Sequence, residues 1–273
     1  MTDVSPSLAA EIAPRLALAI SAGQEAGRLT LRYFQQDNYT VERKSDASPV
    51  TIADRSAEQL LRERIAAAFS RDGILGEELG RTEGTSGFTW ILDPVDGTKS
   101  FISGVPLYGT LVAVEHGGRA VLGMVFMPAL GEGVYASLGQ GAWHFRAEEQ
   151  PRRARVSQKT RLADGLLVTS QIDTFAQRGA SAAFDALQKT ASITRTWGDC
   201  YGYLLVATGR AEAMIDPIMN VWDCAAVQPI VEEAGGTFTD WQGRPTIHAG
   251  EAIATNGLVL EEVLGVTRLY GSR

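Results

Sequence analysis

Trp90-Ile91-Leu92-Asp93-Pro94-Val95-Asp96-Gly97-Thr98 is the stretch on which the fold turns. Phe88, Trp90, Ile91 and Leu92 make a short apolar, β-prone run, which predicts a buried strand ending at Asp93. Pro94 has no N–H and a fixed φ, so an ordinary ladder cannot run through it, and Gly97 can take positive φ if the turn needs it. Asp93 and Asp96 can then converge at the strand end. Their hard oxygens suit Mg2+, which wants near-octahedral oxygen coordination and few protein ligands. A helix starting at Gly97 and Thr98 would turn its free N–H groups toward an anion beside the metals. The same residues also make an ordinary Asp-Gly turn closed by side-chain hydrogen bonds, and the stretch alone leaves both readings open.

Outward from that stretch, the chain has 273 residues, 45% of them hydrophobic, enough to bury one large core or two intimately packed halves. No run approaches the roughly 18 apolar residues of a membrane span, and no basic region leads into an apolar stretch at the N-terminus. The expectation is a soluble, cytoplasmic protein with no membrane partner. Cys200 and Cys224 form neither a CxxC pair nor a disulfide framework and are expected as buried free thiols. A net charge of -7 argues against nucleic acid, whose phosphates are bound by clustered Lys and Arg. A small phosphate can still bind where metal ions supply the positive charge.

Residues 7–36 read as one long helix with Leu16, Ile20, Gly23, Ala26, Gly27 and Phe34 facing a neighbour. A polar turn, Lys44-Ser45-Asp46-Ala47-Ser48, leads to a second amphipathic helix, near whose start Asp54 is either an N-terminal acid favoured by the dipole or a site residue. Gly73-Ile74-Leu75-Gly76-Glu77-Glu78 predicts a short strand, whose end can bring Glu77 beside Asp93. Runs at 111–114, 121–127 and 134–137 read as an antiparallel meander. The charged segment 146–155 marks a boundary between an N-terminal half, 1–150, and a C-terminal α/β half, 151–273. In the second half, a strand at 166–170 and a helix over about 173–189 precede Trp197-Gly198-Asp199-Cys200-Tyr201 and an apolar helix. Ala211 to Ile215 reads as a strand, Asp216-Pro217-Ile218-Met219-Asn220 as the turn after it, and Val221-Trp222-Asp223 opens a helix that ends near Glu232-Glu233. His116, His144 and His248 have no ligand spacing and are assigned surface or structural roles.

Taken together, Gly76-Glu77-Glu78, Trp90 to Thr98, and Trp222-Asp223 with Glu233-Ala234-Gly235-Gly236 closely resemble the inositol monophosphatase family of Mg2+-dependent, lithium-sensitive phosphomonoesterases. The resemblance runs from Lys44 and Asp54 to Asn256. It implies an α+β fold, the layered α-β-α-β-α sandwich of the inositol monophosphatase and fructose bisphosphatase type. It also implies two to three Mg2+ ions: Glu77, Asp93 and the Val95 carbonyl for one, Asp93, Asp96 and Asp223 for a second, Glu77 contributing to a third. Thr98, with Asp54 behind it, would orient the attacking water, and the Gly97 and Thr98 N–H groups would steady the phosphoryl oxygens. No covalent phosphoenzyme is implied, and the family is usually a homodimer.

The substrate is implied by different residues. Trp197 to Tyr203 and Asp216 to Asp223 look like the histidinol-phosphate phosphatase branch. Carboxylates at Asp199 and Asp216, with Asn220, suit a leaving group carrying an ammonium and an imidazole. The alternatives are an inositol-1-monophosphatase or a broad sugar and nucleotide monophosphatase on the same scaffold. A silent metal-binding regulatory protein would have no chemical need for Glu77, Asp93, Asp96, Thr98 and Asp223 together. For Asp199, the competing reading is a cap on the helix that follows.

Overall fold

The computed structural model describes residues 5–36, 40–43, 49–147 and 149–271. Helix α1 (Pro6–Thr30) is capped by Ser5, whose hydroxyl accepts from Leu8 N at 3.2 Å, with Pro6 at its first position. Strand β1 (Glu42–Arg43) pairs antiparallel with β2 (Pro49–Val50), and the polar turn expected at 44–48 lies outside the described residues. Helix α2 (Ile52–Ala68) follows, then β3 (Gly73–Gly76), β4 (Gly80–Thr82), β5 (Phe88–Asp96) and the short α3 (Thr98–Ile102). The meander is β6 (Gly109–His116), β7 (Arg119–Met127), β8 (Glu132–Ser137), β9 (Gly141–Arg146) and β10 (Arg152–Arg153). The second half supplies β11 (Leu166–Val168), α4 (Asp173–Gln177), α5 (Ser181–Thr190), β12 (Ile193–Arg195), α6 (Cys200–Ala207) and β13 (Ala213–Asp216). It closes with α7 (Val221–Ala225), α8 (Val227–Glu233), β14 (Thr237–Thr239), β15 (Ala252–Thr255) and α9 (Leu260–Thr267).

An 8-stranded sheet runs β10-β9-β8-β7-β6-β5-β3-β4, with β3 and β5 parallel and the other pairs antiparallel. A 5-stranded sheet runs β12-β11-β13-β15-β14, its β11 parallel to both neighbours. Alternation sorts the side chains of β5: Trp90 and Leu92 join the cluster under α1 and α2, whereas Ile91 joins the cluster shared with α6, α7 and α8. Gly23 and Gly27 let α1 lie close on the sheet, since a Cβ there would stand 2.8 Å from Met124 Sδ and 2.7 Å from Phe126 Cδ1. The outer face of the small sheet is covered by α4, α5 and α9 around Phe175, Leu187, Trp241 and Val263. The layers are therefore α-β-α-β-α, as the resemblance implied, with α6 to α8 between the sheets.

Several expected boundaries moved. The strand expected to end at Asp93 runs on past Pro94 to Asp96, because a bulge lets Asp96 pair opposite Gly109 again. The helix expected over 7–36 ends at Thr30, and Phe34 instead packs on Phe101 and Tyr108, ring centroids 5.7 and 5.0 Å away. The helix expected over 173–189 is two, because Gly179 takes a φ of 76° between α4 and α5. Pro229 lacks the N–H that would bond the Ala225 carbonyl, and the helix expected from Val221 to Glu233 breaks at Ala226. The charged segment 146–155 also contributes β10, which pairs with β9 and so adds to the large sheet.

Candidate metal and phosphate site

The site is built by one irregularity in β5. Asp93 stands opposite Leu111 and Asp96 opposite Gly109, so Pro94 and Val95 face the single residue Thr110. In an unbroken strand, residues three apart point to opposite faces; the extra residue of this bulge turns Asp96 to the side of Asp93. Thr110 Oγ1 donates to Pro94 O at 2.8 Å and gives that carbonyl a partner outside the ladder. Asp93 extends the parity of Ile91 and faces the middle helices, where α7 carries Asp223. Oxygens of Asp93, Asp96 and Asp223 all lie within 4.8 Å of one another. Glu77, whose N–H bonds Leu92 O at 3.1 Å, presents its carboxylate to Asp93.

Burial and mutual repulsion set the electrostatics. Asp93 is pushed well above the usual carboxylate range by desolvation and then by Glu77, Asp96 and Asp223. Asp96 is raised by desolvation, Asp199 and Asp223, and Asp223 rises to about 7, chiefly through desolvation. Hard oxygens packed this closely are tolerable as protonated acids or as ligands of divalent cations, so the donor set fits Mg2+. All three acids also have structural partners: Asp93 Oδ1 accepts from Val95 N at 3.1 Å. Asp96 Oδ2 accepts the first N–H of α6, that of Cys200, and Asp223 Oδ2 accepts from Asn220 N at 2.7 Å and Nδ2 at 3.4 Å.

Asp54 caps α2 with one carboxylate oxygen and turns the other toward Thr98. Its Oδ2 closes a capping box, accepting from Thr51 N at 2.8 Å and Thr51 Oγ1 at 2.6 Å. Its Oδ1 faces Thr98 Oγ1 at 3.5 Å, and Thr98 Oγ1 also lies 3.1 Å from Val95 O. Burial raises the Asp54 carboxyl. Gly97 begins α3 in the left-handed region, φ 85°, and a Cβ there would stand 2.9 Å from Asp199 Oδ2. That close approach joins the strand-end motif to the second half of the chain.

A cavity of about 200 Å3 opens beside the acids, lined by Asp96, Lys99, Ser170, Asp199, Asp216 and Asp223 among others. Asp216 has both oxygens engaged: Oδ1 by Ser170 N at 2.9 Å and Thr169 Oγ1 at 3.2 Å, Oδ2 by Ser170 Oγ at 2.9 Å and Tyr203 OH at 3.0 Å. Four donors fill a carboxylate's acceptor sites, so Asp216 organises the wall. Asp199 contrasts with it. It heads α6 at φ 52° and ψ -151°, a region nearly restricted to glycine, and its side chain makes no cap hydrogen bond. Its N–H is held by Ser170 Oγ at 2.8 Å, and among the described residues none donates to its carboxylate, which is raised to about 6 by burial and then by Asp216. Asn220 is exposed at the start of α7. Ser170, the hinge of this wall, was legible only as the end of a strand; nothing in its sequence neighbourhood marks it as joining residues 199 and 216.

The two cysteines are buried and free. His144 bonds the buried Glu132 at 2.7 Å, His116 bonds Gly87 O at 3.0 Å, and His248 lies 3.3 Å from Glu115. Among the described residues no helix is long and apolar enough to cross a membrane.

The arrangement has solved counterparts. The Thermotoga maritima IMPase superposes with a TM-score of 0.82 at 30% identity, covering 94% of this chain and 98% of that one. Fold and carboxylate site together define a phosphomonoesterase of the layered α-β-α-β-α class. The model of the inositol monophosphatase family matches residues 11–268, and the chain belongs to that family, whose members are metal-dependent. Among its relatives are a histidinol-phosphatase of Chlorobaculum parvum, 44% identical over 242 residues (89% of this chain, 92% of that protein), and one of Mycobacterium tuberculosis, 38% identical over 254 residues (93% and 97%).

Proposed function

We propose that this phosphomonoesterase hydrolyses L-histidinol phosphate to L-histidinol and phosphate, a late step of histidine biosynthesis. The observation that carries the reading is Asp199: a carboxylate held at a strained backbone position, free of hydrogen-bond donors among the described residues, and facing the cavity beside the acid cluster. A cationic leaving group gains there a hydrogen bond with charge on both partners, and a neutral polyol gains less. The names of the two relatives support the same substrate.

Glu77, Asp93, the Val95 carbonyl, Asp96 and Asp223 would hold two to three Mg2+ ions. Bound there, Mg2+ would polarise the phosphoryl group and stabilise charge on the attacking and leaving oxygens. Thr98 Oγ1 orients the attacking water, and Asp54 Oδ1 receives the proton passed through it; Asp54 Oδ2 stays committed to Thr51. The N–H groups of Gly97 and Thr98 steady the phosphoryl oxygens. Asp199 takes the ammonium, Asp216 keeps Ser170 and Tyr203 in place behind it, and Asn220 and Asp223 border the ester. By likeness to the family the working unit is a cytoplasmic homodimer, whose mass sedimentation-velocity analysis checks. Phosphate release with Mg2+ tests the substrate: kcat/KM is expected to be higher for histidinol phosphate than for inositol 1-phosphate, and equal values would overturn the assignment.

A further inference from the structure

Glu58 lies on α2, outside the carboxylate cluster, and is fully buried at 0% exposure. A buried carboxylate needs donors, and it has three: Glu78 N on Oε2 at 2.8 Å, with Leu79 N at 3.1 Å and Arg62 Nε at 2.8 Å on Oε1. Arg62, one turn further along α2, also donates to Gly80 O and, at 3.0 Å, to Thr82 Oγ1. Two side chains of one helix thus grip the β3–β4 turn at successive points. Gly76 makes room for this, since a Cβ there would stand 2.0 Å from Glu58 Oε1.

The turn so held is the one that carries Glu77. On its other side Glu77 N is bonded to Leu92 O, the residue before Asp93. The carboxyl groups of Asp54, Asp93 and Asp223 crowd this partly buried glutamate, and a loosely held turn would let it swing toward water. We propose that Glu58 is a positioning residue for the metal centre: by bonding the N–H groups of Glu78 and Leu79, it holds Glu77 toward Asp93 before a cation arrives. The proposal rests on the reading of Glu77 as a metal ligand. It gives α2, which already supplies Asp54, a second task at the same centre, and residues that orient ligands in this way commonly change metal affinity about 10- to 100-fold.

Mg2+ titration calorimetry on the full chain tests it. Glu58→Gln keeps the side chain's shape but turns an NH2 group toward one of the two backbone donors, and about tenfold weaker Mg2+ binding is expected. Gly76→Ala, which displaces the Glu58 carboxylate and leaves Glu58 itself in place, is expected to weaken binding in the same way. Glu77→Gln should weaken it at least as much. Glu212→Gln, which breaks a buried pairing with Leu166 N and Lys159 in the small sheet, lowers the melting temperature but should bind Mg2+ as the parent does. At saturating Mg2+, Glu58→Gln should recover most of its kcat. Parent-like Mg2+ affinity in Glu58→Gln and Gly76→Ala, alongside weak binding in Glu77→Gln, overturns the positioning role alone. Parent-like affinity in Glu77→Gln as well overturns the ligand reading beneath it.

Discussion

The bulged end of β5 and the wall formed by Ser170, Asp199 and Asp216 border one cavity, yet they treat carboxylates in opposite ways. At the strand end, acids are crowded with few donors, so each raises its neighbours and the set is relieved by cations. In the wall, Asp216 is satisfied by four donors, and the backbone strain falls on Asp199. Charge is stored in the first region and geometry in the second. One suits chemistry common to phosphate esters, the other suits discrimination among them.

The sharpest way to break that contrast is Asp93→Asn. Removing a carboxylate on which the cluster centres should lower kcat/KM by about a thousandfold or more, since several kcal/mol of charge stabilisation go with the metal. Melting in EDTA should hold steady or rise because repulsion is relieved. Undiminished turnover would contradict the role given to Asp93.

In the wall, Asp199 and Asp216 should part company. Asp199→Gly removes a strained non-glycine residue and should stabilise the metal-free protein by about 1 kcal/mol in urea unfolding, strain relief being partly offset by glycine's chain entropy. The same change should lower kcat/KM for histidinol phosphate about tenfold to a hundredfold, the worth of a hydrogen bond to a charged group, and leave an uncharged phosphomonoester little affected. Asp216→Asn faces Ser170 and Tyr203 hydroxyls with an amide donor and should lose about 3 kcal/mol of stability, with activity falling on every ester. Equal losses on all substrates from both variants would erase the distinction.

The smallest effect is in pH. Asp223 and Asp199 titrate at about 7 and about 6 in the folded chain, above the ordinary value of 3.8. Between those limits the folded state binds more protons than the unfolded one, so metal-free stability falls as pH rises from about 4 through 7. Calorimetry in EDTA should therefore show the melting temperature rising by a few degrees from pH 7.5 to pH 5.5. With Mg2+ present the slope should flatten or reverse, because bound cations favour the ionised acids.

Much of this site was legible along the chain. Asp93-Pro94-Val95-Asp96-Gly97-Thr98 could be read locally because a strand, a proline and a glycine impose their geometry within six residues, and the strand parity of Trp90, Ile91 and Leu92 follows from alternation. The ends of helices were less legible: Gly179 and Pro229 stop them where periodicity alone runs on. Asp54 shows why either-or readings fail, since a carboxylate has two oxygens and can cap a helix with one while facing Thr98 with the other.

By itself, then, the sequence determined the kinds of elements, the order of the motifs and the supply of hard oxygens, because each depends on residue types close together in the chain. Only the tertiary structure decided which acids share space, that Asp216 is saturated while Asp199 is not, and that Glu58 reaches over to the turn of Glu77. Those are distances between residues from 13 to more than 100 positions apart, set by layers packing on one another, and no local pattern encodes them.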